Sequence, residues 1–322
     1  MKNLLLVIMS LMLALTFFTA CGGTGSGGSD VDLLKYIPEN ASGYMSIDVN
    51  GLSKLDIFNE IEKDFKPSAK FKDYNDFVAK TGIDPKKDLK GAVVGFFSEN
   101  FANKNDMTFI MVAGLKYDKE KLLKIAKEEG GKFKEETYDG VTLYNIEEKG
   151  KKTSLVFADA GHIIVASDGV VKKAIDLFKG KGKSVLDNDK QKSYLKMLNS
   201  NSIFSIVFNI PEKLRVKQKS PMGNLDFTKA ESFLGSAWRS GSGYEIDLKL
   251  LSKNKEGNDA IMTILNMGKM MGASLPDYKE LIDAIKITSD EYMLNITMSI
   301  SDAFILKMKD KAKSMMGGAL NK

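Results

Sequence analysis

The chain has 322 residues, with 47 lysines and arginines against 42 aspartates and glutamates, a net charge of +5, one histidine and one cysteine. Arg215 and Arg239 are its only arginines, so the arginine forks and concentrated basic surface of a nucleic-acid binder are missing and no nucleic-acid partner is expected. One cysteine excludes a disulfide framework within the chain, and one histidine beside it excludes a zinc site of cysteine and histidine ligands, so no metal and no cofactor is expected.

Lys2 followed by the apolar run Leu4 to Phe18 has the pattern of an export signal. The run gives way to Thr19, Ala20, Gly22 and Gly23, too soon for the roughly 20 apolar residues of a membrane-spanning helix. Phe18-Thr19-Ala20-Cys21 resembles a bacterial lipobox, although leucine is usual where Phe18 stands. The resemblance implies cleavage before Cys21, diacylation of its sulfur and a membrane partner held through that lipid. Gly22 to Ser29 reads as a Gly/Ser tether. Gly22 stands where an aspartate resembles a retention signal in some two-membrane bacteria, which leans localisation toward the outer rather than the inner membrane.

In the body, Met45, Ile47 and Val49 alternate as one face of a strand, ended by Asn50-Gly51. Ser53 is placed to cap a helix through Ile57, Phe58 and Ile61, and a second helix carries Phe71, Tyr74, Phe77 and Val78 before Gly82 stops it. Ala92 to Phe97 and Met107 to Gly114 read as strands, and Asp118 caps a helix through Leu122, Leu123 and Ala126. Lys132 to Thr137, Val141 to Ile146, Thr153 to Ala158 and His162 to Ala166 form a meander, turned at Asp139-Gly140 and Ala160-Gly161. Helices follow at Val170 to Phe178 and Asp189 to Leu198, then strands at Ile203 to Ile210, around Ala237 and at Tyr244 to Leu251. A helix through Ile261, Ile264 and Leu265, a hairpin of Ala284 to Thr288 with Tyr292 to Ile300, and a helix capped by Ser301 complete the order.

These elements predict an α+β fold of antiparallel sheets packed by helices. The strand and break at Ser205 to Pro211 repeat those at Met45 to Gly51, and the strand and helix at Tyr244 to Leu265 repeat those at Met107 to Ala126. Either an imperfect duplication or one large domain fits. The duplicated reading gives a signal at 1–20, the acylated cysteine and tether at 21–30, α+β domains at 31–190 and 191–316, and a flexible tail at 317–322. Tyr36-Ile37-Pro38-Glu39-Asn40-Ala41, Thr81-Gly82-Ile83-Asp84-Pro85 with Asp88-Leu89, and Tyr138-Asp139-Gly140 resemble phrases of uncharacterised bacterial envelope domains of unknown function. That resemblance implies an extracytoplasmic α+β scaffold and no catalytic residues.

The chemistry is sparse. His162 opens a strand and no Gly-x-Ser-x-Gly elbow occurs, so a structural histidine is expected. Asp84 with Asp88, and Asp302 with Asp310, lack the ligand density of a calcium loop. Trp238 and Arg239, in the Gly/Ser-rich stretch Gly235 to Gly243, are candidate contacts to a sugar, lipid headgroup or partner peptide, against the plainer reading of a turn with its indole on the core. Lys-rich runs such as Lys179 to Lys183 read as exposed turns, or as contacts to anionic headgroups or polymer. Methionines crowd 262–271 and the chain end; the expectation is a closed core for Met262, Met267, Met270 and Met271, and an exposed docking tail at Met315 and Met316. The functional expectation is a lipid-anchored envelope protein with a non-catalytic binding or scaffolding role whose partner, an envelope protein or an apolar ligand, stays open. An apolar-ligand carrier is the alternative, and a hydrolase a distant third.

Overall fold

The computed structural model describes residues 29–55, 71–97, 107–128, 133–148, 150–220, 223–272 and 279–308. The expected signal, Cys21, most of the expected tether, the helix expected through Ile57 to Ile61, and Met315 and Met316 lie outside them.

Twelve strands join in one antiparallel sheet. The amino-terminal half contributes β1 (Gly43–Ile47), β2 (Leu89–Phe97), β3 (Thr108–Leu115), β4 (Lys134–Tyr138), β5 (Val141–Glu148), β6 (Lys151–Asp159) and β7 (His162–Ser167). The carboxy-terminal half adds β8 (Phe204–Asn209), β11 (Ala230–Ser240), β12 (Gly243–Ser252), β13 (Lys286–Ser289) and β14 (Met293–Ser301), while β9 (Lys217–Ser220) and β10 (Gly223–Asp226) form a separate hairpin. The spatial order is β13-β14-β12-β11-β8-β1-β2-β3-β7-β6-β5-β4. The halves therefore meet along one seam, β1 against β8, where Ser46 faces Ser205 and their hydroxyls lie 2.6 Å apart.

Helices α1 (Ser29–Leu34), α2 (Val49–Ser53), α3 (Tyr74–Thr81), α4 (Pro85–Asp88), α5 (Lys119–Glu128), α6 (Asp168–Phe178), α7 (Asp189–Met197), α8 (Lys255–Gly272) and α9 (Lys279–Ala284), with a helical segment at 302–308, flank the sheet. Local chemistry sets their ends. Asp73 caps α3 by accepting from the Asp76 amide, and Gly82 closes it in the left-handed region at φ 71°. The Asp118 carboxylate accepts from the Lys121 amide ahead of α5, and the Ser301 hydroxyl from the Phe304 amide. Asp139 and Gly140, with φ of 49° and 75°, form the two-residue turn between β4 and β5. Two expectations change here. Asn50-Gly51 does not end the first strand segment; it lies inside α2, capped by Asp48 through the Gly51 amide at 2.9 Å. α1 begins at Ser29, inside the expected tether.

Register divides the sheet into two faces. On the front, Ile47 is flanked by Ala92, Ala113 and Ile163 on one side and by Phe204, Ala237, Ile246 and Met298 on the other, an apolar row across both halves. On the back, the row through Leu143, Val156, Ile164, Val112 and Val93 is apolar and buried until it reaches Ser46. It then continues as Ser205, Ser236, Asp247 and Thr297. In the amino-terminal half both faces are buried: Leu52, Phe77 and Leu122 join the front cluster, and Leu34, Ile175 and Tyr194 the back. A strand wrapped on both sides needs apolar residues at every position, as in Ala92-Val93-Val94 and Ile110-Met111-Val112-Ala113.

Candidate binding surface

In the carboxy-terminal half the front face stays apolar, and among the described residues it is only partly covered. Ile206, Phe233, Ile246, Leu248, Ile296 and Met298 point to it from four adjacent strands, and all six are only half-buried. Gly235 lies in the middle; a Cβ there would stand 3.0 Å from Ile206 Cγ2 and 3.1 Å from Leu248 Cδ2, so those two side chains already fill the space above the glycine. The 302–308 segment seals one end of the patch, with Ile305 in the same buried cluster as Tyr244. At the far edge α8 packs against β13 and β14 and buries Ile261 and Ile264.

Arg239 and Trp238 are neighbours on β11, and successive side chains of a strand point to opposite faces. They are not brought together. Arg239 lies on the front, its guanidinium 4.8 Å from the Tyr244 ring centre, and donates through Nη2 to Asp302 Oδ2 at 2.6 Å while Nη1 engages Oδ1. These hydrogen bonds hold the Asp302 carboxyl below the usual carboxylate range. Trp238 is on the back, across from Glu245. The expected flexible segment is instead a hairpin of two long strands, turned by Gly241 at φ 57°.

The methionine expectation is corrected in part. Met262 is half-buried, but Met267 is 38% and Met270 77% exposed, so α8 turns its distal thioethers to solvent rather than into a closed core. The side chain of Met271 is outside the description. His162 Nδ1 pairs with Asp159 at 2.9 Å, and its ring lies edge-on to Tyr36 and Phe178. Asp84 caps α4, accepting from the Tyr74 hydroxyl at 2.5 Å and the Lys86 amide at 3.0 Å, while Asp88 Oδ2 accepts from the Asp84 amide. Asp310 lies outside the described residues. Among the described residues no three His, Cys, Asp or Glu side chains are grouped to hold a metal, and no helix is long and apolar enough to cross a membrane.

A family model described as "Protein of unknown function (DUF3352)" matches residues 3–233, ending within β11. No curated protein matches the chain. Among solved structures, crystal form III of TP0453 is similar at 14% identity with a TM-score of 0.50, covering 83% of this chain and 93% of that one. Crystal form I of the same protein gives 0.48 at 13% identity, covering 84% and 94%. The first of these shares the fold; at that identity the likeness extends no further.

Proposed function

The chain belongs to the DUF3352 family of proteins of unknown function, and from that premise we propose that it is a lipid-anchored, non-catalytic binding protein of the bacterial envelope whose ligand is an apolar chain. The observation that carries this reading is the half-buried apolar front of β8, β11, β12 and β14, set beside a buried front in the other half of the same sheet. A scaffold that docks through polar contacts has no use for an unfinished apolar face. An acyl chain laid on it gains about 0.8 kcal/mol per buried methylene, before the cost of ordering the chain is subtracted. Cys21 holds the protein to the membrane, the outer one in a two-membrane cell.

The test is direct titration of the body from Gly22 onward, stripped of lipid, with a fluorescent fatty acid. Saturable one-to-one binding at low micromolar concentration is expected, and Ile246→Glu or Leu248→Glu should remove it by placing a charge on the patch. If binding does not saturate, or survives both substitutions, the apolar-ligand reading fails and a polar scaffold takes its place. Anchoring has its own test. Cys21→Ser should abolish the acyl mass on the purified protein and impair maturation, and an unchanged acylated mass would refute the lipobox reading.

A further inference from the structure

A cleft of about 290 Å³ opens where the chain leaves α1, lined by Pro38 to Asn40, by Lys173, Asp176 and Leu177 of α6, and by Lys181 to Lys183. This is the lysine run that the sequence marks as either an exposed turn or an anion contact, and the structure fixes its shape. Pro38 bridges to Ser184, the Glu39 amide donates to the Lys183 carbonyl at 3.0 Å, and the Lys181 amide donates to the Asp176 carbonyl at 2.7 Å. Gly180 and Gly182 take φ of 74° and 88°, the left-handed turns that glycine allows. The run is thus a wall pinned at both ends.

One of its charges is already paired and a second is hydrogen-bonded. Lys181 pairs with Asp139 at 2.9 Å, and Asp176 accepts from the Tyr138 hydroxyl at 3.1 Å. The remaining cleft charges are the Lys173 and Lys183 ammoniums and the Glu39 carboxylate, all on exposed residues, and among the described residues none of the three is in an ion pair. Two unpaired cations, the Glu39 carboxylate and the Asp176 carboxylate, which keeps its charge beneath the Tyr138 hydroxyl, with Leu177 as an apolar wall, complement a small molecule carrying both an anion and an ammonium. A plain anion would satisfy the lysines but would meet Glu39 and Asp176 as like charges.

We propose that this cleft binds a phosphate and ammonium zwitterion, the phosphoethanolamine headgroup of a membrane lipid, with the phosphate toward Lys173 and Lys183 and the ammonium toward Glu39. The cavity, at the small end of ligand sites, suits a headgroup rather than a whole lipid. Its position favours a lipid over a soluble metabolite, and this step rests on the anchoring proposed at Cys21. Gly22 to Gly28 reach at most about 25 Å when extended, and the six residues of α1 add about 9 Å. The end of α1, beside the cleft, therefore stays within about 35 Å of the anchored cysteine, on a different part of the molecule from the apolar front.

The experiment follows acetylation of Lys173 and Lys183 by mass spectrometry, using the full chain in a non-ionic detergent. Measured relative to exposed Lys127 outside the cleft, which cancels reagent consumed by the ligand's own amine, glycerophosphoethanolamine should slow both by about fivefold at saturation, while inorganic phosphate and glycerophosphoglycerol slow them less than twofold. Glu39→Gln should abolish that preference. Lys173→Gln with Lys183→Gln should remove saturation transfer to the ethanolamine protons. These are exposed positions, so the circular dichroism of the variants should match wild type. Equal protection by inorganic phosphate would make this a plain anion site and overturn the proposal, as would no protection at all. Protection by the free headgroup but not by phosphatidylethanolamine vesicles would overturn the lipid source. The mass at Cys21 reports separately on anchoring.

Discussion

Gly43→Val is expected to cost roughly 3 kcal/mol or more and to separate the two halves of the sheet, because overpacking against strand backbone cannot be relieved by a side-chain rotation. Gly43 opens β1 and is paired on both sides, with Phe96 of β2 and Phe208 of β8. A Cβ there would stand 2.8 Å from the Val207 carbonyl oxygen, 2.9 Å from Phe208 Cδ2 and 3.2 Å from Phe208 Cα. Two of those atoms are backbone, so β8 itself must move, and β1 with β8 is the seam between the halves. Since whole domains are stable by only about 5–15 kcal/mol, such a loss is readable in chemical denaturation as an earlier or a split transition. Gly169→Ala is the control. Nothing lies within 4 Å of its added Cβ, and an alanine in α6 should leave stability unchanged or raise it by about 0.5–1 kcal/mol. A wild-type transition in Gly43→Val would show that the seam does not couple the halves.

Much of this sheet is legible in the chain because local chemistry and register agree. Asp139-Gly140 reads as a two-residue turn and both residues take positive φ, and Gly82 reads as a helix stop and is one. The apolar alternation of β12, with Ile246, Leu248 and Leu250 on one face, is equally plain. What alternation does not encode is whether anything covers that face, since burial depends on the elements that pack across it. The same limit explains Gly235 to Gly243. Glycine and serine there suggest a flexible loop, yet Gly235 makes room for Ile206 and Leu248, Ser236 is only 2% exposed, and Ser232 just before the stretch is fully buried. Ser232 is held by the Tyr194 hydroxyl at 2.8 Å, a partner far away in the chain. Short helices such as α2 and α4 are hard to read because they owe their ends to single caps, Asp48 and Asp84, rather than to an amphipathic period. The cleft at Lys183 escapes the sequence for another reason: its opposite wall, Pro38 to Asn40, joins it through pairings distant in the chain, the Pro38 bridge to Ser184 and the Glu39 amide on the Lys183 carbonyl.

Arg239→Ala is expected to loosen the 302–308 segment from the β11 and β12 hairpin, and its effect should fade in acid. The guanidinium is 17% exposed and the Asp302 carboxylate 36%, so water screens the pair and the loss at neutral pH is about 1–2 kcal/mol, below that of a fully buried bidentate pair. Removing Arg239 also takes away its stack on Tyr244, so Arg239→Lys, which keeps the charge but neither the fork nor the planar stack, should recover little. The pH dependence follows from Asp302. Its carboxyl is lowered first by hydrogen bonds from Arg239, with burial opposing them. A carboxyl depressed in the folded state stabilises it fully above the unfolded value, about 3.9, and loses that contribution as pH falls through the lower folded value. Other carboxylates also titrate there, so the informative quantity is the stability difference between wild type and Asp302→Asn across pH 7 to 2. That difference should hold steady down to about pH 4 and then shrink. A difference that stays constant to pH 2 would mean that packing, rather than the Arg239 to Asp302 pair, fixes the segment on the open apolar face.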